Sequence, residues 1–488
     1  MIQHGKPHYA DDRQMDMTAY MGPRRAGKRK FNEEYGNPRD PEAGFPEFWS
    51  DAVFEAYKAA GFTFLIPEGD AFYGTRVTEN GITGEADFEK SDLFRFLTIA
   101  EKHGIPVYPS QAELMYVMAR RDTPMTDAEK DVVAEMVATL KKHFPNAVKG
   151  LLLTDEPTMK HRVGVESCVN FVRELAPEWD LFVSMLPIYG TAEMFGADMN
   201  DPQYKDKEIT LKMKEAEYRK YVAAYGALMG EFSFDYYALN HDAGPETLSP
   251  LFFRNLELAA EGAKAGGFPM SATLQAFRMD RRYDPATGKG QPVFRETTYE
   301  DVRWQVYAAL AFGARRLGYF TFWQHYNESQ YEVFPTAMVV YDEAEAEGWR
   351  KTGIYYDVKK VNEQVHACDH VFLRFDWKGC RTVLKSGDEN IRLVERNYTA
   401  GALRDVTAVR DTLIGCFENP EDGREGYWLV NAHNPYYYER NEVEATFADA
   451  DRVVYWRAGR ECDEPLESGK FCIRLGAGEG VFVIPYKA

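Results

Sequence analysis

The segment Leu151-Leu152-Leu153-Thr154-Asp155-Glu156-Pro157 has the clearest chemical meaning in this chain. An apolar run ends in two adjacent carboxylates, which are costly at the end of a buried strand unless paired, hydrogen-bonded or used. A carboxyl half removed from water beside a second one has its pKa raised. Glu156 is thereby suited to hold a proton near neutral pH and give it to a leaving oxygen, the work of a general acid. In the plainer reading Asp155 caps the next helix and Glu156 forms an ion pair. The strand-end position favours catalysis.

The elements that must position this pair follow from hydrophobic periodicity. Strands are expected over 15–21, 62–66, 105–108, 148–154, 181–186, 232–237, 270–274 and 317–322. Helical spacing lies between them: over 48–60, around 93–100, over 126–143, up to Leu175, over 212–228, 252–260 and 302–310, and around 358–365. Residues 278–296 read as a Gly/Pro/Arg-rich loop. Eight strand–helix units in succession predict an α/β fold, a (β/α)8 TIM barrel. A doubly wound sheet would carry a glycine-rich phosphate loop after its first strand, and none is present. From about 376 the texture changes to short alternating runs such as Tyr427–Asn431 and Arg452–Trp456, separated by polar turns such as 419–423. The expected organisation is a barrel over 1–375 and a C-terminal antiparallel β-sandwich over 376–488.

In such barrels the reacting groups come from the C-terminal ends of the strands. That rule reduces 77 acidic residues to a short set. Glu68 and Asp70 follow the second strand, Glu113 the third, and Asp155 and Glu156 end the fourth. Asp235 ends the sixth, with Tyr237, His241 and Asp242 beyond it, and Trp323, His325 and Glu328 follow the eighth. Asp235 is the first choice for a partner carboxylate, although it could simply cap a turn. Tyr237 could be core, Trp323 could serve packing or floor a sugar subsite, and Glu68 and His241 are further substrate-binding candidates.

The length of 488 residues calls for more than one core. A net charge of -19 disfavours nucleic acid, anionic membrane surfaces and polyanionic sugars as partners. No run approaches the ~20 apolar residues of a membrane span. Met1–Pro7 lacks the apolar core of a signal peptide, and the six scattered cysteines suggest reduced thiols, so a cytoplasmic location is expected. The aromatic share of 14% fits a large core or, more sharply, platforms for the flat faces of sugars. His241 with Asp235 and Asp242, or Glu68 with Asp70, could hold a metal, but no spacing is diagnostic; no metal and no cofactor are expected. The basic run Arg24–Lys30 reads as a solvated loop or a subunit contact.

Asp155-Glu156-Pro157 resembles the Asn-Glu-Pro signature that ends strand four in clan A glycoside hydrolases, where the Glu is the acid/base. Ser233-Phe234-Asp235-Tyr236-Tyr237 is similar to the Ser-x-Asp-x-Tyr-Pro segment of family 42-like β-galactosidase barrels. The stretch from Arg303 to Ala314, running into Tyr319–Trp323, resembles their passage from helix seven to strand eight. The resemblance touches most of the chain through a few short motifs. It implies hydrolysis of an O-glycosidic bond, a carbohydrate substrate, and homo-oligomers such as related barrels form.

Two departures stand out. Asp155 replaces the Asn that normally bonds the sugar 2-hydroxyl. Strand seven of the family supplies a nucleophilic Glu, whereas here it ends Thr273-Leu274-Gln275, and Gln275 can only hydrogen-bond a hydroxyl or a carboxylate. Three arrangements remain open. An inverting enzyme would use Asp235, or else Glu68 or Asp242, as base, with carboxyls roughly 6.5–9.5 Å apart. A relocated nucleophile would sit about 5–5.5 Å from the acid. In the third, hydrolysis is lost and sugar binding kept. The expectation is an exo-acting glycosidase for small oligosaccharides or glycosides, with Glu156 as acid, Asp235 as partner, and Asp155, Tyr237, Gln275 and Trp323 shaping the subsite. The alternatives are a non-catalytic sugar-binding barrel and a metal-assisted lyase or isomerase for a modified sugar.

Overall fold

The computed structural model describes residues 2–23, 49–67, 76–78, 81–83, 87–110, 115–241, 243–284, 289–324, 326–327, 332–342, 344–395 and 398–488. Glu68, Asp70, Glu113, Asp242, His325, Glu328 and the basic run 24–30 lie outside them.

Strands and helices alternate through the first part of the chain: β1 (Asp16–Ala19), α1 (Asp51–Ala59), α2 (Asp92–Lys102), α3 (Asp127–His143), β2 (Gly150–Asp155), α4 (Arg162–Leu175), β3 (Asp180–Met185), α5 (Leu211–Met229), β4 (Phe232–Tyr236), α6 (Phe252–Gly266), β5 (Met270–Gln275), α7 (Tyr299–Ala311), β6 (Ala314–Phe320) and α8 (Gly353–His366). The helix starts are written in the sequence. Thr126 with Glu129, and Thr298 with Asp301, form reciprocal capping boxes that satisfy otherwise orphaned N–H groups of α3 and α7.

The six strands form one parallel sheet in the order β1-β6-β5-β4-β3-β2, curled as in a barrel. Six of the eight expected strands are thus regular. The other two, 62–66 and 105–108, are extended segments joined by single bridges, Leu65 to Val107 and Val107 to Val148. Pro106 and Pro109 have no N–H to donate to a ladder, which keeps the second segment from becoming a regular strand. The Thr63 N–H donates to the Met17 carbonyl at 2.8 Å, linking the first segment to β1.

Alternate residues of each strand point inward. Near the N-terminal ends of the strands, the Arg316 guanidinium lies 5.3 Å from the Phe64 ring centroid and 5.6 Å from that of Phe182. It pairs with Glu231 at 2.7 Å and Asp180 at 2.6 Å. Above it, Tyr20, Phe64, Ile66, Tyr108, Leu152 and Phe182 form a separate interior cluster.

One expectation is corrected. Residues 278–296 are not a loop but a β-hairpin, Arg278–Asp284 with Lys289–Phe294, extended by Glu332–Thr336 and Tyr326–Asn327. Pairing with the distant strand Glu332–Thr336 outweighs the turn-forming composition.

The C-terminal region is all antiparallel. A six-stranded sheet (Asp376–Val383, Thr412–Glu418, Glu425–Asn431, Gly480–Tyr486, Arg452–Arg457, Arg460–Pro465) faces a three-stranded one (Leu403–Ala408, Asn441–Phe447, Lys470–Leu475), and the two share a core. The other face of the larger sheet sits on α7, with Trp428 and Tyr307 rings 5.5 Å apart. A Cβ at Gly415 would fall 2.1 Å from the Ala311 carbonyl oxygen, so only glycine permits this approach. All six cysteines are free. No helix among the described residues is long and apolar enough to cross a membrane.

Removing one partner of a largely buried ion cluster leaves uncompensated charge. Arg316→Met is expected to lower unfolding stability in urea by about 3–5 kcal/mol, and Arg316→Met/Glu231→Gln to recover part of the loss. Equal stability of wild type and the single variant would show that the cluster contributes nothing.

Candidate active site

The register between β2 and β3 sets up the site. Leu152 pairs with Phe182, but after a one-residue irregularity Thr154 pairs with Val183 and Asp155 with Ser184. Such a bulge re-aims side chains. Asp155, which strict alternation from Leu152 would turn outward, instead lines the interior cavity. Glu156 follows at φ 43°, a left-handed conformation uncommon for a residue with a Cβ. Its backbone N–H donates to the Ser184 carbonyl at 2.7 Å, and an Arg120 guanidinium N–H donates to the Asp155 carbonyl at 2.5 Å.

The Glu156 Oε1 accepts a hydrogen bond from Tyr189 at 2.9 Å. Burial raises the Glu156 pKa, while the Tyr189 bond and the Arg120 charge oppose the rise. Asp235, at the end of β4, is only 8% exposed and accepts from Ser184 Oγ at 3.2 Å. Its pKa is pushed well above the usual carboxylate range, first by burial and then by the charges of Glu156 and Asp155; Tyr237 and Ser184 pull the other way. Burial and the same carboxylates raise the phenols of Tyr237 and Tyr20. Tyr189 is half-exposed, and its partial burial and the carboxylates do the same there; all three stay protonated as donors. The Tyr20 hydroxyl lies beside Ser184 and Thr273 without completing a hydrogen bond of ordinary length.

Tyr20, Ser110, Tyr116, Asp155, Ser184, Asp235, Tyr237, Thr273 and Phe320 are among the residues that line a cavity of about 250 Å³ at the C-terminal end of the sheet; Glu156 and Tyr189 lie beside it rather than in its wall. Of the residues expected from sequence, Asp155, Glu156, Asp235 and Tyr237 are brought together. Gln275 is fully buried: its Oε1 accepts from the Leu239 N–H, and its Nε2 donates to the Phe277 and Arg295 carbonyls. Its amide therefore holds the start of the 276–298 segment. Trp323 is also fully buried, edge-on to Tyr341 and beside Trp349. His241 donates its backbone N–H to Val293 at the hairpin. None of these three lines the cavity. Glu68 is outside the described residues, and no group of three or more His, Cys, Asp or Glu placed to hold a metal occurs among those described.

Sequence reasoning missed Tyr20, Ser184, Tyr189 and Arg120. The strand-end rule could have found Tyr20 and Ser184, which sit at the ends of β1 and β3. Tyr189 and Arg120 come from loops and carry no comparable signal.

No family model and no curated protein matches the chain. Solved structures do. A glycoside hydrolase family 5 protein from Bacteroides vulgatus is 10% identical over 97% of this chain and 89% of its own, with a TM-score of 0.50. An α-amylase from Anoxybacillus is 12% identical over 99% and 100%, at 0.48, and a further glycoside hydrolase is 10% identical over 100% and 95%, at 0.49. At such identities the likeness concerns the fold, a barrel-like architecture that glycoside hydrolases also have.

A carboxyl whose folded pKa is raised stabilises the protein fully below its unfolded pKa, about 3.9 for Asp. That contribution is lost as pH rises through the folded value. Asp235→Asn is expected to gain about 1–2 kcal/mol over wild type near neutral pH and almost nothing near pH 3, measured by urea unfolding. A loss near neutral pH would mean that the ionised carboxylate is stabilised in place.

Proposed function

We propose that the protein is a glycoside hydrolase, related to the family 42-like barrels its motifs resemble, in which Glu156 and Asp235 form the acid and base. The observation that carries this reading is a pair of electrostatically interacting carboxyls with raised pKa values, Asp235 in the wall of a cavity at the C-terminal end of a curled parallel sheet and Glu156 next to Asp155 of that wall. We take residues 1–375 as a complete (β/α)8 barrel, with the 62–66 and 105–108 segments as its irregular second and third members, and 376–488 as an appended sandwich.

Two interacting carboxyls do not ionise independently: a proton on one lowers the pKa of the other. Such a pair can share one proton, the state that acid–base hydrolysis needs. Tyr189 occupies Oε1 of Glu156, leaving Oε2 to carry the proton. That proton passes to the glycosidic oxygen as the bond from this oxygen to the anomeric carbon breaks. Asp235, oriented by Ser184, takes a proton from water as the water oxygen bonds to the anomeric carbon. Asp155 and Tyr237 contact sugar hydroxyls. The cavity of about 250 Å³ is below the ~300 Å³ lower end for ligand pockets. That fits one terminal sugar and so an exo-acting enzyme.

The deeper burial of Asp235 favours a second reading with the roles exchanged. Substrates with different leaving groups separate the two. If Glu156 is the acid, Glu156→Gln loses about 10²–10⁴-fold on poor leaving groups and far less on dinitrophenyl glycosides or glycosyl fluorides. Asp235→Asn then loses activity on both. The reverse pattern makes Asp235 the acid, and NMR of the first-released anomer gives the stereochemistry. Full activity in both variants defeats the assignment. Failure of folded wild-type protein to turn over any aryl glycoside or oligosaccharide defeats the hydrolase reading itself.

A further inference from the structure

Three consecutive tyrosines leave the C-terminal region at one short turn, Pro435–Tyr437 and the residue after it. Tyr436, Tyr437 and Tyr438 are 38%, 53% and 60% exposed, where most large rings of this protein are buried. We propose that they form a stacking platform that takes a neutral glycan chain, an inference that rests on the glycoside hydrolase reading and extends it beyond the cavity.

The backbone of the turn and its first ring are held in place. Asn434 caps it, with Oδ1 accepting from the Tyr436 N–H at 3.1 Å and Nδ2 donating to the Glu246 carbonyl at 2.7 Å. Glu246 belongs to the segment following β4, so the platform is tied to the face on which the cavity opens. The Arg295 guanidinium lies 5.7 Å from the Tyr436 ring centroid and is itself fixed by Asp301 at 2.5 and 2.6 Å. The Arg295 carbonyl accepts from Gln275, the last residue of β5. The platform is therefore one residue removed from a strand end of the barrel. Tyr436 and Tyr437 stand nearly perpendicular, ring centroids 5.7 Å apart, and so present faces in different directions. Tyr438 sits at φ 55°, where a bulky residue costs roughly 1–2 kcal/mol and Gly or Asn would be easier.

The chemistry of the patch selects its ligand. Flat rings with hydroxyls at their edges suit a molecule that alternates apolar faces with hydroxyls, which describes a sugar chain. Three half-exposed tyrosines offer roughly 300 Å², well short of the ~800 Å² that each partner buries in a stable protein interface. The net charge of -19 turns away polyanionic chains.

The test is native gel electrophoresis through soluble neutral polysaccharides (barley β-glucan, galactomannan, arabinoxylan and β-galactan), using the full chain carrying Glu156→Gln so that the polymer survives. At least one polymer is expected to retard this protein. Adding Tyr436→Ala, Tyr437→Ala and Tyr438→Ala is expected to weaken the apparent affinity at least tenfold, whereas the three Tyr→Phe changes, which keep the rings, retain most of it. No retardation by any polymer, or equal retardation of the alanine variant, overturns the proposal. So does a fall from dimer to monomer on alanine substitution with retardation unchanged, which would make the patch a contact between copies. Hydrolysis of aryl glycosides by the wild-type chain is read separately. An active enzyme without retardation loses only the platform, and a retarded protein without activity loses only the hydrolase reading.

Discussion

A parallel sheet that curls on itself encloses a space that has to be filled, and what fills it decides where water and substrate can go. Here the N-terminal end is closed by one long cation. Arg316 stacks between Phe64 and Phe182 and is neutralised by Glu231 and Asp180. The aromatic layer above it seals the middle. At the C-terminal end the cavity meets Asp155 and Asp235, and burial is the first cause of the raised Asp235 pKa.

The two ends use the same residue types to opposite effect. At the bottom the carboxylates lie in direct contact with a guanidinium, whose charge opposes the rise that burial gives the Glu231 pKa. At the top, Glu156 and Asp235 take hydroxyl partners, Tyr189 and Ser184, and the guanidinium of Arg120 is engaged with the Asp155 backbone carbonyl. Hydroxyls orient a carboxyl without cancelling its charge. Pairing makes an interior acid inert, and mutual repulsion in a dry place makes it reactive.

The C-terminal sheets reach this end of the molecule through a chain of specific contacts. They sit on α7, whose first turn holds Asp301, the partner of Arg295, and Arg295 receives the Gln275 amide through its carbonyl. Gln275 thereby joins β5 to the segment that bears on the tyrosine turn.

Sequence alone determined the succession of helices and strands and the change to antiparallel pairing near residue 376, and it named Glu156, Asp155, Asp235 and Tyr237 as candidates. Local periodicity and strand-end position encode these directly. It overstated the regularity of 62–66 and 105–108, where apolar character was legible but the lost hydrogen bonds of Pro106 and Pro109 were underweighted. It did not show that Trp323, Gln275 and His241 lie away from the cavity lining, because a side chain just beyond a strand can turn into the cavity or into the packing, and its neighbours decide which. Tertiary structure alone decided the hairpin at 278–294, whose partner strand lies far along the chain, and the bulge that turns Asp155 inward. It also decided the meeting of Tyr189 with Glu156. Each depends on groups remote in sequence, and no local pattern records which of them will be brought together.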